Sequence, residues 1–360
     1  MDMSTTGKPI NRKQPIPAHR QVRDHLIGLI QSGELGPGAK LPPEPELADQ
    51  FGVARMTANK AILSLVNDGW LTRRAGRGTF VVDRRSNLKQ CLVTFMPPSL
   101  VGAVEDFYFG TLYWNIVARM SRDLLPVIPV SLKDIPDSLG PETGIIAINP
   151  SETAIDKLLR LQQDGSALVV LGSTWKSQVV NVVDSDNMLG ATLAVNHLAD
   201  LGHREIAFVG CYPSDTNTQD RVRGFTTAMK GRGLRADESR ILMSKHRDLG
   251  PVLEDQLMGL IQSGVTAVFA AGAHAAMHVL MRARQEGLSV PENLSVVGYD
   301  DPAFLALARP PMTTVAQPLG EMAALACDVL LGLAHAPSLA PSHRRLDPEL
   351  VIRQSTACPG

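Results

Sequence analysis

Over the first eighty positions apolar residues recur at helical spacing. Val22, Leu26, Leu29 and Ile30 mark one face of a helix over 18–32, and Gly33 stands where a helix can end in the left-handed conformation. The Gly-Pro-Gly stretch at 36–38 breaks the pattern. A second, short helix is expected from Pro43 through Leu47, Ala48 and Phe51, because proline is tolerated in a first turn, and Gly52 ends it. A third helix over 55–67 repeats Ala58, Ala61, Ile62, Leu65 and Val66, which leaves Met56, Thr57, Lys60 and Ser64 pointing away from the core. After Asp68-Gly69 the segments 70–74 and 79–82 are β-prone, and Ala75-Gly76-Arg77-Gly78 joins them as a hairpin connection in which glycine tolerates positive φ. Two helices joined by a tight turn and followed by a hairpin predict a winged helix-turn-helix of α+β class over 18–82, preceded by a flexible N-terminus, 1–17.

Residues 83–90 are short, polar and charged, and read as a linker. Beyond them the pattern changes. The runs "CLVTFM", "GIIAIN", "ALVVLG", "EIAFVG", "AVFAAG" and "LSVVGYD" are β-prone and almost wholly apolar, as strands covered on both faces must be, and they alternate with amphipathic helical segments. Residues 91–360 are therefore expected to form an α/β domain with parallel sheets, two of them to hold so many strands. Ligands in such folds bind at the carboxyl ends of strands or between lobes.

Charge sharpens the reading of the amino-terminal unit. The whole chain of 360 residues carries 35 basic and 36 acidic side chains, which argues against a generally sticky polycation. Residues 51–90, however, hold Arg55, Lys60, Arg73, Arg74, Arg77, Arg84, Arg85 and Lys89 against only Asp68 and Asp83, while residues 91–360 are net acidic. A helix laid in a major groove presents its first turns to base edges, and a narrow Gly-Arg-Gly tip can approach the minor groove and phosphates. The basic segment is thus expected to hold double-stranded DNA. Cys91, Cys211, Cys327 and Cys358 lie far apart without a Cys-x-x-Cys pair, so they read as packing residues in a reducing compartment. The first twenty residues lack the apolar core of a secretory signal and no apolar run reaches membrane-spanning length, so the expected setting is cytoplasmic, with no membrane partner.

The stretch "GELGPGAKLPPEPELADQFGVARMTANKAILSLVNDGWLTRRAGRGTFV" closely resembles the GntR family of winged-helix repressors. The resemblance implies DNA contacts by Arg55 and Thr57, and by Gly76, Arg77 and Gly78 at the wing. The chain departs from the family in reading Pro43-Glu44-Pro45 for the common Ser-Glu-Arg and Ala54-Arg55 for Ser-Arg, which removes a helix cap and one contacting arginine. Asn59 and Lys60 replace the commoner Arg-Glu pair, as in the HutC-like branch, and are expected to read other bases.

The stretches at 182–210, 220–234 and 294–319, among them "DRVRGFTTAMKGRGL" and "LSVVGYDDPAFLALARPPMTTVAQPL", look like the effector domain of the LacI/GalR family, itself related to periplasmic sugar-binding proteins. That resemblance implies two lobes linked by three crossovers and closing on a small molecule, with Arg221 and Asp300 as hydrogen-bonding ligands and Gln317 near the cleft. A guanidinium fork and a carboxylate suit neighbouring hydroxyls or a ligand carboxylate; the alternative is an interlobe ion pair. Relatives often place Asn-Asp where this chain has Gly272-Ala273, which removes two polar ligands. Phe107 or Phe109, within "EDFYFGTLYWN", is expected to stack on a ligand ring or to pack in the core. The joined architecture resembles that of the bacterial arabinose repressors.

An enzyme is the first rival reading, and no phosphate-cradling loop, nucleophile elbow or His-Glu-x-x-His motif supports it. His274 and His278 have metal-pair spacing without an accompanying carboxylate and read as ordinary helix residues. No catalytic residue, cofactor or metal is expected. A solute-binding receptor is the second rival, opposed by the winged helix. The expectation is a ligand-responsive transcription regulator, a repressor under control of a small metabolite such as a sugar or sugar derivative, acting as a homodimer on operator DNA.

Overall fold

In the computed structural model, which describes residues 16–74, 76–82, 88–95, 100–173, 179–335 and 341–360, the chain forms a small head and a two-lobe body. The expectations for 1–15, for Ala75 in the hairpin and for 83–87 in the linker lie outside the described residues. The head comprises α1 (Ala18–Gln31), α2 (Glu44–Phe51), α3 (Arg55–Asn67) and the antiparallel hairpin of β1 (Leu71–Arg74) and β2 (Gly78–Val81). Its core joins Val22 and Leu26 of α1, Phe51 of α2, Ile62 and Leu65 of α3, and Trp70. Gly52 closes α2 with φ 62°, which is why so short a helix can stop and turn directly into α3.

Leu88, Lys89 and Gln90, read from the sequence as linker, already belong to the body: Leu88 is buried in its core and Gln90 is the first residue of its first strand. The first lobe follows with β3 (Gln90–Phe95), α4 (Leu100–Glu105), α5 (Phe107–Met120), β4 (Val127–Pro129), β5 (Thr143–Ile148), α6 (Ile155–Gln163), β6 (Ala167–Leu171) and β7 (Asn181–Ser185). The chain then crosses to the second lobe. There it forms α7 (Asn187–Asp200), β8 (Ile206–Cys211), α8 (Thr216–Gly231), β9 (Ile241–Ser244), α9 (Gly250–Gln262), β10 (Ala267–Ala270), α10 (Ala273–Gln285), β11 (Ser295–Tyr299), α11 (Ala303–Ala306) and β12 (Thr313–Ala316). It returns to the first lobe for α12 (Leu319–His335) and β13 (His343–Leu346), and crosses a third time into β14 (Glu349–Val351).

Each lobe holds a six-stranded sheet, ordered β13-β7-β6-β5-β3-β4 in the first and β14-β12-β11-β10-β8-β9 in the second. Every pairing in the two is parallel except that of β12 with β14. The apolar runs read from the sequence are these central strands: all residues of β5, β10 and β11 are buried, because helices cover both faces. α12 packs Met322, Ala323, Ala326 and Leu330 against the first sheet, and Arg119 of α5 donates to Asp328 of α12 at 2.7 Å. That buried pair fixes the helix that follows the chain's return to the first lobe.

The C-terminal tail is stitched to the second lobe by two histidines. His203 is buried, its ring bonded to Thr266 Oγ1 at 2.8 Å and to the Ala357 carbonyl at 2.9 Å. Burial holds its pKa below the ordinary histidine value, with nearby His197 acting in the same direction and the Ala357 carbonyl opposing. A depressed folded pKa means that stability is fully present above about pH 6.5, the unfolded value, and is lost as pH falls. The melting temperature is expected to drop between pH 7.5 and 5.5, with a flatter profile in His203→Gln; differential scanning calorimetry at the two pH values measures both.

Candidate functional site

Two sites face outward from this scaffold, one on the head and one between the lobes. On the head, α3 exposes Arg55, Met56 and Lys60 and half-exposes Thr57 and Asn59, while Gly76, Arg77 and Gly78 form the exposed tip of the hairpin. All seven sequence-derived positions therefore lie on α3 or the wing. Gly76 and Gly78 have φ of 68° and 115°, and a Cβ on Gly78 would come within 2.8 Å of Lys40 Cε. The tip thus needs glycine to turn, and Lys40 passes beside it, which adds a cation the sequence reading left out. Lys60 also contributes, after burial, to holding His19 below the ordinary histidine range, together with Arg20 and Arg23. A positive field therefore extends from α3 to the start of α1.

One ionic network orders this surface. Glu44, at the start of α2, accepts from Arg73 of β1 at 2.6 Å and lies 4.0 Å from Arg55 Nε. Arg73 also donates to Asn59 Oδ1 at 3.0 Å. Arg74 stacks on Phe80 at 5.2 Å from the ring centre.

The second site is a cavity of about 330 Å³ between the lobes. It lies at the carboxyl ends of the parallel strands, where Asn149 after β5, Tyr212 after β8 and Asp300 after β11 all adopt positive φ, 44°, 56° and 67°. Non-glycine residues in that region are uncommon and gather at functional sites. Arg221, Asp300, Phe107 and Phe109 all line the cavity, so the structure brings together four of the five sequence-derived effector positions. Gln317 stands behind the wall instead, and its Nε2 donates to Asp300 Oδ1 at 2.7 Å.

Arg221 on α8 is 7 % exposed, donates to Asn187 Oδ1 at 2.8 Å and to the Ala271 carbonyl at 2.9 Å, and lies 3.7 Å above the Tyr299 ring. Burial works against its charge, but Tyr299, Asp300 and Asp215 more than offset that, and its pKa is raised. Burial pushes the Asp300 and Asp215 carboxyls above the usual carboxylate range, although Arg221 pulls both down. Arg221 is thus bonded to Asn187 at the first crossover, and Asp300 to Gln317 at the second. Phe109 lines the cavity and also packs edge-on against Phe95, so the core-packing alternative holds and its ring is placed beside the cavity. Ala271, Gly272 and Ala273 form an adjoining wall without a polar side chain.

Several lining residues were not foreseen. Tyr108 reaches in from the start of α5, where a Cβ on Gly172 would meet its hydroxyl at 2.0 Å. That hydroxyl and Asn217 Oδ1 are buried without a hydrogen-bond partner among the described residues. Asp106 caps α5 by accepting from the Tyr108 and Phe109 amides at 2.9 and 3.3 Å, and pairs across the cleft with Arg247 at 3.2 Å. Asn149 donates to Asp215 at 3.2 Å, and Asn217 to the Gly172 carbonyl at 2.7 Å, both from one lobe to the other. These bonds join the two lobes across the cavity, and long-range pairing of that kind leaves no periodic trace in a sequence.

Head and body also touch. Asp68, which ends α3, is 4 % exposed and accepts from Arg344 of β13 at 2.7 Å, with Arg23 of α1 at 3.4 Å and Ser64 at 3.2 Å. Beside it Gly69 and Gly332 approach so closely that a Cβ on Gly69 would lie 3.2 Å from Gly332 Cα.

Comparison with known proteins agrees with both halves. Residues 18–81 match the bacterial regulatory proteins of the gntR family, and residues 195–356 match the periplasmic binding protein-like domain. An arabinose metabolism transcriptional repressor of Geobacillus stearothermophilus is 27 % identical, over 96 % of this chain and 99 % of that protein. Among solved structures, a LacI family transcriptional regulator from Enterococcus faecium with bound ribose aligns at TM-score 0.63 and 24 % identity, covering 75 % of this chain and 99 % of that one. The complex of the transcriptional regulator CelR with cellobiose aligns at TM-score 0.66 and 20 % identity, covering 88 % of this chain and all of the other. At such identities the structural likeness speaks for the fold.

Proposed function

We propose that this chain, a transcriptional regulator joining a gntR-family DNA-binding head to a periplasmic-binding-protein-like effector domain, is a homodimeric repressor whose hold on operator DNA is set by a carbohydrate or sugar derivative in the interlobe cleft. The observation that carries this reading is the coexistence, on one chain, of a basic helix-and-wing surface and a cleft built around Arg221 and Asp300. Arg55, Thr57, Asn59 and Lys60 would meet base edges and phosphates in a major groove, with Gly76, Arg77 and Gly78 at the neighbouring backbone. Arg221 and Asp300 would grip vicinal hydroxyls, Phe107 and Phe109 would cover an apolar ring face, and Tyr108 and Asn217 would find their missing partners on the ligand. The bare wall at Gly272-Ala273 favours an effector with fewer hydroxyls than a simple hexose, or a larger one that fills the space.

A two-fold partner copy is part of this reading, because regulators with a helix-turn-helix head bind paired half-sites as dimers. Two heads then match a two-fold operator. We read the protein as cytoplasmic, where its proposed DNA partner would be met. Among the described residues no helix is long and apolar enough to cross a membrane. We read the chain as non-catalytic, as its relatives are regulators.

Isothermal titration of the full chain against pentoses, hexoses, disaccharides and nucleosides, paired with duplex binding at several salt concentrations, tests both halves. Saturable heat with one class and a steep salt slope are expected; no heat and a flat slope would sink the reading. Arg77→Ala is expected to lower duplex affinity and reduce the salt slope by about one, with sequence preference unchanged.

A further inference from the structure

We infer that Arg73 sets the base preference of Asn59, holding it as a hydrogen-bond donor that selects guanine over adenine at one operator position. The inference deepens the proposed DNA-reading role of the head and rests on it. Asn59 lies on the exposed face of α3, one turn after Arg55. Arg73 belongs to another element, β1, and reaches across to donate to Asn59 Oδ1 at 3.0 Å. A guanidinium carries only donors, so the carboxamide must turn its oxygen toward Arg73 and its amino group away.

Arg73 is itself held. Glu44 Oε1 accepts from the same Nη2 at 2.6 Å, and Glu44 is a first-turn residue of α2, which packs beside α3 in the head core. Three elements therefore fix one carboxamide, and sequence spacing could not show it, since Arg73 lies 14 residues from Asn59 and 29 from Glu44.

The orientation bears on base reading because an asparagine recognises adenine with both ends of its amide: the amino group donates to N7 and the oxygen accepts from the N6 amino group. Here the oxygen already accepts a charged hydrogen bond. Only its second lone pair remains, and the guanidinium beside it repels the positively polarised adenine amino group. Guanine presents two acceptors, N7 and O6, on the same edge. The Asn59 amino group, with the cation behind it, matches those acceptors and places no donor against donor. Arg73 is thus a positioning residue, and Asn59 the residue that touches the base.

The test selects randomised duplexes with the full-length protein, then measures binding to duplexes that differ at single positions. The wild type is expected to prefer guanine at one half-site position, and Asn59→Ala to lose that preference. Arg73→Ala, which frees the oxygen, is expected to move the preference at the same position toward adenine by about tenfold. Glu44→Gln, which loosens Arg73 without altering β1, should move it part of the way and keeps the test open if Arg73→Ala folds poorly. Identical base preferences in wild type, Arg73→Ala and Glu44→Gln overturn the inference while leaving the DNA-binding reading intact. Failure of the wild type to enrich any duplex overturns both.

Discussion

Arg221→Ala is expected to weaken effector binding by about 100-fold or more, since a buried, charged hydrogen-bonding group is removed together with its hold on the wall (~3 kcal/mol). Asp300→Ala is expected to lose about 1.5–3 kcal/mol, the range for one hydrogen bond to a charged group. The arginine matters more because its guanidinium also bonds Asn187 and the Ala271 carbonyl, covers Tyr299, and pulls down the pKa values of both Asp215 and Asp300. Removing it leaves two buried carboxyls, already raised by burial, without their cation. Raised folded values mean that the protonated form favours folding, so that contribution is present below the unfolded pKa of about 4 and is lost as pH climbs through the folded value. Arg221→Ala should therefore melt lowest, relative to wild type, at pH 7.5, and recover part of the difference near pH 5. Arg221→Lys retains the charge and should restore stability more than affinity, because one ammonium cannot serve two acceptors as a fork does. Titration with the sugar that binds wild type, and melts at both pH values, read these effects; unchanged affinity in a folded Arg221→Ala protein would remove the cleft from the effector pathway.

How much of this was legible beforehand differs by element. The bounds of α3 follow from five apolar residues at helical spacing, and the wing from two glycines flanking an arginine. Both signals are local, and both survive packing because the head core asks for the same faces. Arg221 and Asp300 were reached through resemblance, and what no local pattern showed is that each is bonded to a residue at a crossover between the lobes. The neighbours that complete the cleft left no local trace. Tyr108 sits within an aromatic run that reads equally well as core, and the Asp106 to Arg247 pair joins residues far apart on different lobes. Positive φ at Asn149, Tyr212 and Asp300 has no composition signal at all, since the strain is imposed by the fold at the ends of its strands. Asp68 was legible as the end of a helix and hidden as a contact, because its partner lies 276 residues away.

That last contact leads to the second large effect. Arg344→Ala is expected to leave effector affinity near wild type while collapsing the effect of the effector on DNA binding. Arg221 and Asp300, the side chains proposed to hold the effector, are bonded to the first and second crossovers, and the third crossover joins β13 to β14. β13 is also the strand that grips the end of α3, through Arg344 and Asp68 at 2.7 Å. A ligand can shift the regulator only by favouring one lobe arrangement, and the shift reaches DNA only through a contact that differs between the arrangements. Coupling between sites is commonly worth about 1–3 kcal/mol, so the wild type should change its operator affinity by about 5–150-fold on saturation and the variant by less than about threefold. Loss of folding is not expected to mask this. Arg23 remains near Asp68, so its carboxylate keeps a cation, and the cost should stay below the ~3–5 kcal/mol of a buried charge left alone. Asp68→Asn should behave as Arg344→Ala does, and the double variant should add little, because the two residues act through one bond. Operator titrations with and without saturating effector decide the matter: a folded Arg344→Ala protein that still responds as the wild type does would show that the signal takes another route into the head.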